Sequence, residues 1–577
     1  RERGKKMKSN LIKLLAAAGL AVSMFGCSAS QPAETETPKD SAEAEETPAV
    51  TASSVRKTQF GDVEGVEENG VEVYYGIPYG KEPVGELRWK APVDPEPWKE
   101  TKDVKEKEET ALQSASSTNE KGETEITAVG STDCLNLDVY TKKDAKDLPV
   151  VVYVHGGNNQ TGTSFEIPGY DMVKTDDIVY VSVNYRLGLL GFMNLPAVLD
   201  DDNPTGNFTM LDLAKALTWV RNNISEFGGD ASNVTITGFS AGGRDVMAML
   251  LSPTFDGLFD KAIAYSGGMT IADSDASVEK IAETIAPLVV EDKIEATEEA
   301  AAKWLMEDNQ NVTDYLNGLD ADRLIKLFPN AGIRMAKFPH LYNDGIVLPE
   351  KGFDSNTYVN DVPLMMVTGS EEFSMFGCFD PSLSEMTDPT AATAFVNKYG
   401  GDFYRVFNTQ LSAEKMDDSY KSNMYLCQIN YGDTNSAYTI KDYGSFHGIF
   451  VPLISPSANN YSALYDFSEA GYTELSKGFN EYLASFVKTG TPTSETAKTE
   501  WTAWTNDNPN TLVLDAKDGK GTFEMADVRK SNADIISEIE ADTTVPEEEK
   551  LQIVQNIMNG RWFSGDLDSH FNTPSLW

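Results

Sequence analysis

The sequence predicts an α/β protein with a mostly parallel, doubly wound sheet and helices on both of its faces. The first observation is a series of short apolar runs, rich in β-branched residues and bounded by turn residues, as is typical of buried parallel strands. The second is that stretches with helical periodicity lie between these runs. The predicted strands are Leu148–Val154, Ile178–Asn184, Asn233–Thr237, Lys261–Tyr265 and Pro363–Thr368, and the predicted helices are Leu211–Ile224, Ala241–Leu251 and Thr473–Val487.

Composition and charge limit the classes of function. The chain has 577 residues, of which 40% are hydrophobic, and a formal net charge of −42. This length suits one large domain or a few ordinary ones, and the apolar content is enough to form a core. The charge argues against a nucleic acid partner and against electrostatic docking on anionic lipid, because both need clustered Lys and Arg.

The N-terminal region is predicted to be a secretory signal followed by a tether. Basic residues precede an uncharged apolar stretch that ends in Phe25-Gly26-Cys27, which predicts a signal peptide over residues 1–26. The ending resembles a bacterial lipoprotein signal, whose cysteine is lipidated after cleavage; ordinary secretion with an incidental cysteine is the alternative. Residues 27–54 are rich in Ser, Thr, Ala, Glu and Pro and are predicted to be disordered. We therefore expect a secreted protein on the outer face of a bacterial membrane, attached only through a lipid on Cys27.

The rest of the chain is predicted to contain one large α/β domain and a short C-terminal extension. Residues 55–530 contain no further Pro- or Ser-rich linker and form the predicted α/β domain. A more helical and acidic segment, about 272–353, suits an insertion over the sheet. Residues 531–577 are predicted to be a helical extension that docks on the domain. Its predicted helices are Ser531–Glu540 and Glu547–Met558, and its aromatic residues are Trp562, Phe563 and Trp577.

Cysteine usage excludes a fold that depends on a disulfide framework. Beyond Cys27 the chain has only Cys134, Cys378 and Cys427, so at most one disulfide can form among them. Whether Cys378 pairs with Cys427 stays open at this point.

The candidate chemistry is concentrated in the pentapeptide Gly238-Phe239-Ser240-Ala241-Gly242. It follows a predicted strand and precedes a predicted helix, which is the strand–turn–helix setting of a nucleophilic serine. Flanking glycines permit the sharp turn that exposes the serine, and the helix that follows points backbone N–H groups and its positive dipole at a developing oxyanion. An inert serine in a glycine-rich turn is the alternative interpretation.

A second loop can supply further donors to that oxyanion. His155-Gly156-Gly157-Asn158 follows the predicted strand Leu148–Val154, and its backbone N–H groups are not obstructed by large side chains. This is the type of loop that faces the nucleophile in α/β-hydrolases. An ordinary Gly-Gly turn is the alternative.

Several stretches together resemble the type-B carboxylesterases, a family of α/β-hydrolases that includes bacterial esterases, cholinesterases and the non-catalytic neuroligins. The resemblance is dense from about residue 61 to residue 267 and sparse from there to about residue 504. It implies an α/β-hydrolase fold. The matching stretches are Gly76-Ile77-Pro78-Tyr79-Gly80, Pro83-Val84-Gly85-Glu86-Leu87-Arg88, Asp133-Cys134-Leu135-Asn136-Leu137, Asn184-Tyr185-Arg186-Leu187-Gly188, Gly191-Phe192, Trp219-Val220-Arg221 and Phe227-Gly228-Gly229-Asp230.

The resemblance implies a catalytic triad in the order serine, acid, histidine. Glu372 takes the position of the family's acid, just after the predicted strand Pro363–Thr368, with Glu371 as the alternative. Of the four histidines, His447 lies after the acid and matches the family's His-Gly. The others fit less well, because they belong to the oxyanion loop, precede the acid or lie in the extension: His155, His340 and His570.

The expected roles follow from the movement of charge. Ser240 attacks an ester carbonyl, His447 transfers the proton to the leaving alcohol, and Glu372 orients the imidazole. The oxyanion is held by the backbone N–H groups of Ala241, Gly157 and Asn158, while Gly156 gives the loop room. This mechanism requires no metal and no organic cofactor.

The chain also departs from the family pattern. Asn158 replaces a third glycine, Phe239 replaces the glutamate before the nucleophile, and Phe450 replaces an acid that commonly follows the histidine. Arg244 and Asp245, just after the pentapeptide, replace smaller residues. These departures leave the shape of the oxyanion hole and of the substrate pocket open.

Two classes of function follow. The first is a serine esterase that acts on small carboxylic esters; the second is a neuroligin-like interaction domain without activity. A lipase is a lesser alternative, since no long apolar lid segment stands out. No aromatic residue lies between Ala111 and Cys134, so a quaternary ammonium substrate, which needs an aromatic cage, is disfavoured.

Overall fold

The computed structural model describes most of the chain beyond residue 50. The described residues are 51–118, 124–202, 204–327, 338–377, 380–441, 443–457, 461, 467, 470–558 and 565–572. The predicted signal peptide, most of the predicted tether, Cys27, Cys378 and the aromatic residues Trp562, Phe563 and Trp577 lie outside them.

Fifteen strands are present in the described part of the chain. Thirteen of them form one large sheet, and β5 and β6 form a separate hairpin. The strands are β1 Thr51–Thr58, β2 Gly61–Glu68, β3 Val71–Pro78, β4 Lys102–Asp103, β5 Gln113–Thr118, β6 Thr124–Val129, β7 Asn136–Thr141, β8 Leu148–Val154, β9 Val179–Val183, β10 Gly229–Phe239, β11 Lys261–Tyr265, β12 Leu364–Gly369, β13 Met424–Ile429, β14 Asn510–Lys517 and β15 Lys520–Asp527.

The large sheet has a parallel centre and antiparallel margins. Its order is β1-β2-β3-β7-β9-β8-β10-β11-β12-β13-β14-β15, with β4 paired to β2. All pairings from β9 to β14 are parallel, whereas β1, β2, β3 and β7 at one margin and β15 at the other pair antiparallel. The order of β9, β8 and β10 reverses direction along the sheet, which confirms the predicted doubly wound arrangement.

Helices connect and cover these strands. The α-helices are α1 Tyr170–Asp176, α2 Gly188–Gly191, α3 Phe208–Asn223, α4 Ala241–Leu251, α5 Ser274–Glu291, α6 Glu298–Leu305, α7 Gln310–Gly318, α8 Ala321–Ile325, α9 Ser374–Gly377, α10 Pro389–Arg405, α11 Leu411–Met416, α12 Phe450–Ile454, α13 Ala470–Thr489, α14 Asn532–Ala541, α15 Glu547–Gln552 and α16 Gly565–His570.

The sheet separates two apolar cores. Alternate residues of β8 face opposite sides: Val150, Val152 and Val154 belong to one buried cluster, and Val151 and Tyr153 belong to the other. Helices α3 and α4 pack on the first face, and α1, α12 and α13 pack on the second. A parallel sheet needs cover on both faces, and this is why its central strands are apolar throughout.

The segment predicted as an insertion contributes four consecutive helices, α5 to α8. Each begins after a residue whose side chain accepts a hydrogen bond from the first turn, which is the usual signal for a helix start. Their buried faces belong to the same core as α3 and α4. The four capping residues are Asp273, Thr297, Asn309 and Asp320.

Most predicted elements shift at one or both ends by up to four residues, and two predictions differ in kind. The predicted tether ended at residue 54, but residues 51–54 already belong to β1, where Thr51 pairs with Glu67 of β2. This part of the prediction was wrong because antiparallel pairing with β2, the next strand along the chain, orders these polar residues despite their composition. The predicted helix Glu547–Met558 is an α-helix only to Gln552 and continues as a π-helix over Ile553–Ile557.

Within the described residues, none of the helices combines the length and the apolar character that a bilayer crossing requires. Cys134 and Cys427 are both buried and carry free thiols.

Candidate active site

The pentapeptide forms a strained turn between β10 and α4. Ser240 has φ 56° and ψ −114°, which is unusual for a residue with a side chain. The turn needs its glycines: a Cβ on Gly238 would stand 2.2 Å from the Gly242 carbonyl oxygen, and one on Gly242 would stand 2.1 Å from the Val154 carbonyl oxygen. The close approach of α4 to the end of β8 therefore depends on the absence of these two side chains.

Backbone hydrogen bonds hold the turn in place. The Ser240 N–H donates to the Tyr265 carbonyl oxygen at 2.9 Å, and the Ser240 carbonyl oxygen accepts from the Arg244 N–H at 3.0 Å. Ala241 is the first residue of α4, so its N–H lies at the positive end of an eleven-residue helix.

The predicted oxyanion loop lies directly against this turn. A Cβ on Gly156 would stand 3.2 Å from Ser240 Cβ, a tight contact that would require a small shift of the loop or of the serine turn. Gly157 has φ 101°, and a Cβ there would stand 2.1 Å from the Thr161 carbonyl oxygen. Asn158 has φ 57°, a left-handed conformation that asparagine tolerates.

The two glycine amides differ in their partners. The Gly156 N–H donates to Glu166 Oε2 at 2.8 Å, so this amide is not available to an oxyanion. Among the described residues no acceptor engages the Gly157 N–H. The loop can therefore offer the Gly157 N–H to an oxyanion, while Gly156 provides space.

Glu372 and His447 form a buried pair. His447 Nδ1 lies 2.5 Å from Glu372 Oε2, and both side chains are almost completely inaccessible to solvent. The other oxygen, Oε1, accepts hydrogen bonds from the Gly369 N–H at 2.6 Å, from Ser266 Oγ at 2.6 Å and from Thr368 Oγ1 at 3.1 Å. These donors fix the carboxylate and leave Oε2 for the imidazole.

Glu371, the alternative acid, is engaged elsewhere. Its Oε1 accepts from Thr434 Oγ1 at 2.7 Å, and burial raises the pKa of its carboxyl. The structure thus brings Glu372, and not Glu371, to His447.

The imidazole of His447 lies in an aromatic cage next to the serine turn. Its ring centroid is 4.7 Å from that of Phe239, the residue before Ser240, 4.9 Å from that of Phe376 and 5.6 Å from that of Tyr404. His447 Nε2 is buried and has no hydrogen-bond partner among the described residues. This nitrogen is therefore available to a hydroxyl group.

The remaining histidines have other environments. Burial lowers the pKa of His155 to about 4, and its ring stacks on Tyr185 with a centroid separation of 4.3 Å. Burial and the nearby Arg244 lower the pKa of His340 to about 3. His570 is exposed and pairs with Glu540 at 2.8 Å in the extension.

The departures at positions 158, 244 and 245 contact one another. Asn158 Oδ1 accepts from Arg244 Nη2 at 2.9 Å, and Asn159 Nδ2 donates to Asp245 Oδ1 at 2.8 Å. Arg244 and Asp245 are buried in the first turns of α4. Two consecutive residues of the loop are therefore attached to two consecutive residues of the helix that follows the serine.

Sequence reasoning missed Glu166 and Asn159. Glu166 is one of 90 acidic residues, and its contact with Gly156 arises only when the loop folds back over ten residues. Asn159 follows the loop motif and could have been recognised only by its proximity to Asp245 in space. An acidic residue ten positions after the first glycine of a Gly-Gly loop is the local signal that the sequence offers.

Among the residues that the structure describes, no group of three His, Cys, Asp or Glu side chains is close enough to hold a metal ion.

Comparisons with known proteins agree with this architecture. A model of the carboxylesterase family matches residues 52–386. The para-nitrobenzyl esterase of Bacillus subtilis (strain 168) is 28% identical over 492 residues, which cover 80% of this chain and 94% of that protein. The acylcarnitine hydrolase of Rattus norvegicus is 38% identical over 253 residues, covering 41% of this chain and 44% of that protein. A solved PNB esterase superposes with a TM-score of 0.63 at 27% identity, covering 82% of this chain and 97% of that one.

The fold is thus that of an α/β-hydrolase, and the chain belongs to the carboxylesterase family. It is a serine carboxylesterase, a hydrolase of carboxylic esters.

Proposed function

We propose that the protein hydrolyses small carboxylic esters through an acyl-enzyme formed on Ser240. Ser240 Oγ attacks the ester carbonyl while His447 Nε2 accepts its proton and then passes it to the leaving alcohol. Glu372 holds the imidazole in the required tautomer and stabilises the imidazolium. Water then attacks the acyl-enzyme by the same route and releases the acid.

The observation that carries this proposal is the buried contact of 2.5 Å between His447 Nδ1 and Glu372 Oε2. It orients the ring so that Nε2 has no partner among the described residues. Phe239, which precedes Ser240 in the strained turn, contacts the same ring. A neuroligin-like domain without activity would have no need for such a pair, and this favours the enzyme.

The oxyanion is assigned to three backbone N–H groups, those of Ala241, Gly157 and Asn158. Ala241 offers its amide at the start of α4, and the close contact of Gly156 with Ser240 holds the loop beside it. Preorganised donors of this kind contribute strongly to acyl transfer because they need no reorganisation during the reaction. Gly156 contributes room and not a donor, since Glu166 accepts its N–H.

Replacing Ser240 with alanine tests the proposal. With a para-nitrobenzyl ester, chosen because a relative is named for that substrate, Ser240→Ala should lower kcat/KM by about 10³-fold or more. The exposed Ser225→Ala is the matched control and should retain full activity. Equal hydrolysis by wild type and Ser240→Ala would refute the triad, and a wild type without activity would favour an interaction domain. Faster hydrolysis of emulsified long-chain esters than of short ones would favour the lipase alternative.

We further propose that the protein is secreted and held on the outer face of a bacterial membrane by a lipid on Cys27. The support is the basic and then apolar sequence that ends at Cys27 and the Ser-, Thr-, Glu- and Pro-rich tether after it. Mass spectrometry of the mature N-terminus should find a lipidated Cys27, and an unlipidated start elsewhere would contradict the anchor.

A further inference from the structure

Glu166 is a partly buried acid next to Ser240 that the proposed triad does not use. Its Oε2 accepts hydrogen bonds from the Gly156 N–H at 2.8 Å and from the Tyr153 hydroxyl at 2.6 Å. A Cβ built on Gly156 would stand 3.3 Å from Glu166 Oε1 and 3.2 Å from Ser240 Cβ. The carboxylate and the side chain of the serine are therefore neighbours across this glycine, where the oxyanion loop meets the strained turn.

Two aromatic side chains pack beside the serine turn at positions that are acidic in the resembling family. Phe239 and Phe450 stand where the resembling family has acidic residues, and their ring centroids are 5.0 Å apart. Phe450 also stacks on Tyr265, with centroids 4.1 Å apart. Position 239 thus contacts His447 through an apolar ring, and Glu166 is a carboxylate that reaches the same site from another loop.

We propose that Glu166 is a positioning residue for ester hydrolysis: its carboxylate fixes Gly156 and so holds the oxyanion loop against the serine turn. This inference rests on the proposed function of Ser240. A charged acceptor forms hydrogen bonds that are shorter and about twice as strong as those of a neutral one. The direction of the Gly157 and Asn158 amides depends on the peptide that Glu166 anchors, and small errors in such donors are costly to the rate.

The ionisation of Glu166 should therefore be visible in the rate. Burial raises the pKa of Glu166 to about 7, while its hydrogen bonds with Tyr153 and Gly156 act in the opposite direction. The other groups whose ionisation is affected by its charge are tyrosines, whose own pKa values burial raises: Tyr153, Tyr180, Tyr185 and Tyr461. In the described part of the chain no lysine, arginine or histidine forms an ion pair with it. The anchor should weaken as the pH falls through about 7.

Two substitutions distinguish the effect of the charge of Glu166 from the effect of its hydrogen bonds. Glu166→Gln keeps an oxygen acceptor of nearly the same shape and removes the charge, whereas Glu166→Ala removes both. The exposed Glu226→Gln is the matched control. The readout is kcat and KM for a neutral ester between about pH 5.5 and about pH 9, together with the melting temperature of each variant.

We expect the acid limb of the wild-type profile to contain an ionisation near pH 7 that is absent from Glu166→Gln. Glu166→Gln should keep kcat at the optimum within about threefold, and Glu166→Ala should lower kcat about tenfold with little change in KM. If Glu166→Gln has the pH profile of wild type and of Glu226→Gln, the inference is wrong. This failure is distinct from that of the proposed function, because Ser240→Ala would still abolish hydrolysis. If the melting temperature falls only in Glu166→Ala, the pH profile of the folded Glu166→Gln decides the question.

Discussion

At the scale of single residues, polar side chains of the oxyanion loop and of α4 form two hydrogen-bonded pairs. Asn158 takes a left-handed conformation open to glycine, and its side chain then accepts from Arg244. Asn159, which is also left-handed, donates to Asp245. Replacing Asn159 alone would remove its hydrogen bond to the buried Asp245 carboxyl group, and an unsatisfied group of this kind costs about 1–3 kcal/mol.

Asp245 should make the stability of the protein depend on pH. Burial raises the pKa of this carboxyl to about 7, above its ordinary value, so the folded state retains a proton that the unfolded state loses. Stability attributable to Asp245 therefore falls as the pH rises from about 4 to about 7. In Asp245→Asn this loss is absent, and the free energy of unfolding of the variant relative to wild type should rise by about 3 kcal/mol between about pH 5 and about pH 8.

Urea denaturation at the two pH values measures this difference. Asp230→Asn is the control, because hydrogen bonds from Ser232 lower the pKa of Asp230 and it stays ionised throughout this range. The Asp230→Asn difference should be constant. A constant difference for Asp245→Asn as well would show that Asp245 is already ionised at the lower pH.

The residues of the proposed triad were predictable because each has a signal along the chain. Ser240 has glycines and a strand before a helix, Glu372 has a strand before it, and His447 is one of four histidines. The preference for Glu372 over Glu371 came from the family resemblance and not from the chain alone, because both follow the same strand and only the turn decides which carboxylate faces the imidazole. The contacts of Arg244 and Asp245 likewise depend on how closely α4 approaches the loop.

At the scale of elements, the parallel strands β8 to β12 were predicted, whereas the parallel strands β13 and β14 and the antiparallel margins were missed. Strands β8 and β11 have the predicted bounds. A strand that is covered on both faces is apolar along its length, so the ends of the apolar run mark the ends of the strand. Strands β1 and β2 were missed because they are partly exposed and contain many polar residues. Their order comes from antiparallel pairing, which local sequence does not encode.

The described part of the C-terminal extension docks as predicted, through aliphatic residues, and Trp562, Phe563 and Trp577 lie outside the described residues. Ile535 and Ile539 of α14 and Ile553 and Val554 of the following π-helix share a buried cluster with α10. Helix α14 starts with a capping box in which Ser531 and Asp534 exchange hydrogen bonds. The apolar spacing along these helices is the signal that the described residues confirm.

At the scale of the whole molecule, the negative charge belongs to the folded body. Residues 1–27 carry a net charge of +5 and residues 28–50 carry −5, so these segments cancel and the remainder holds all of the −42. The field of such a body repels anions over a distance set by the ionic strength, about 10 Å at 0.1 M salt.

Salt should therefore act selectively on charged substrates. Raising the ionic strength from about 10 mM to about 150 mM should increase kcat/KM severalfold for an ester with a free carboxylate and hardly at all for a neutral ester of similar size. The comparison uses initial rates of the same enzyme preparation. Equal responses of the two esters would mean that the local field at the site, rather than the net charge, controls access.

The cluster that receives the extension also contains Phe373, the residue after Glu372, and Tyr404, whose ring meets His447. A shortened protein that ends at residue 530 would expose the apolar side of α10 to water and remove the support behind these two rings. Truncation or fusion at the C-terminal end would therefore alter the packing that supports Glu372 and His447, although the sequence there carries no catalytic motif.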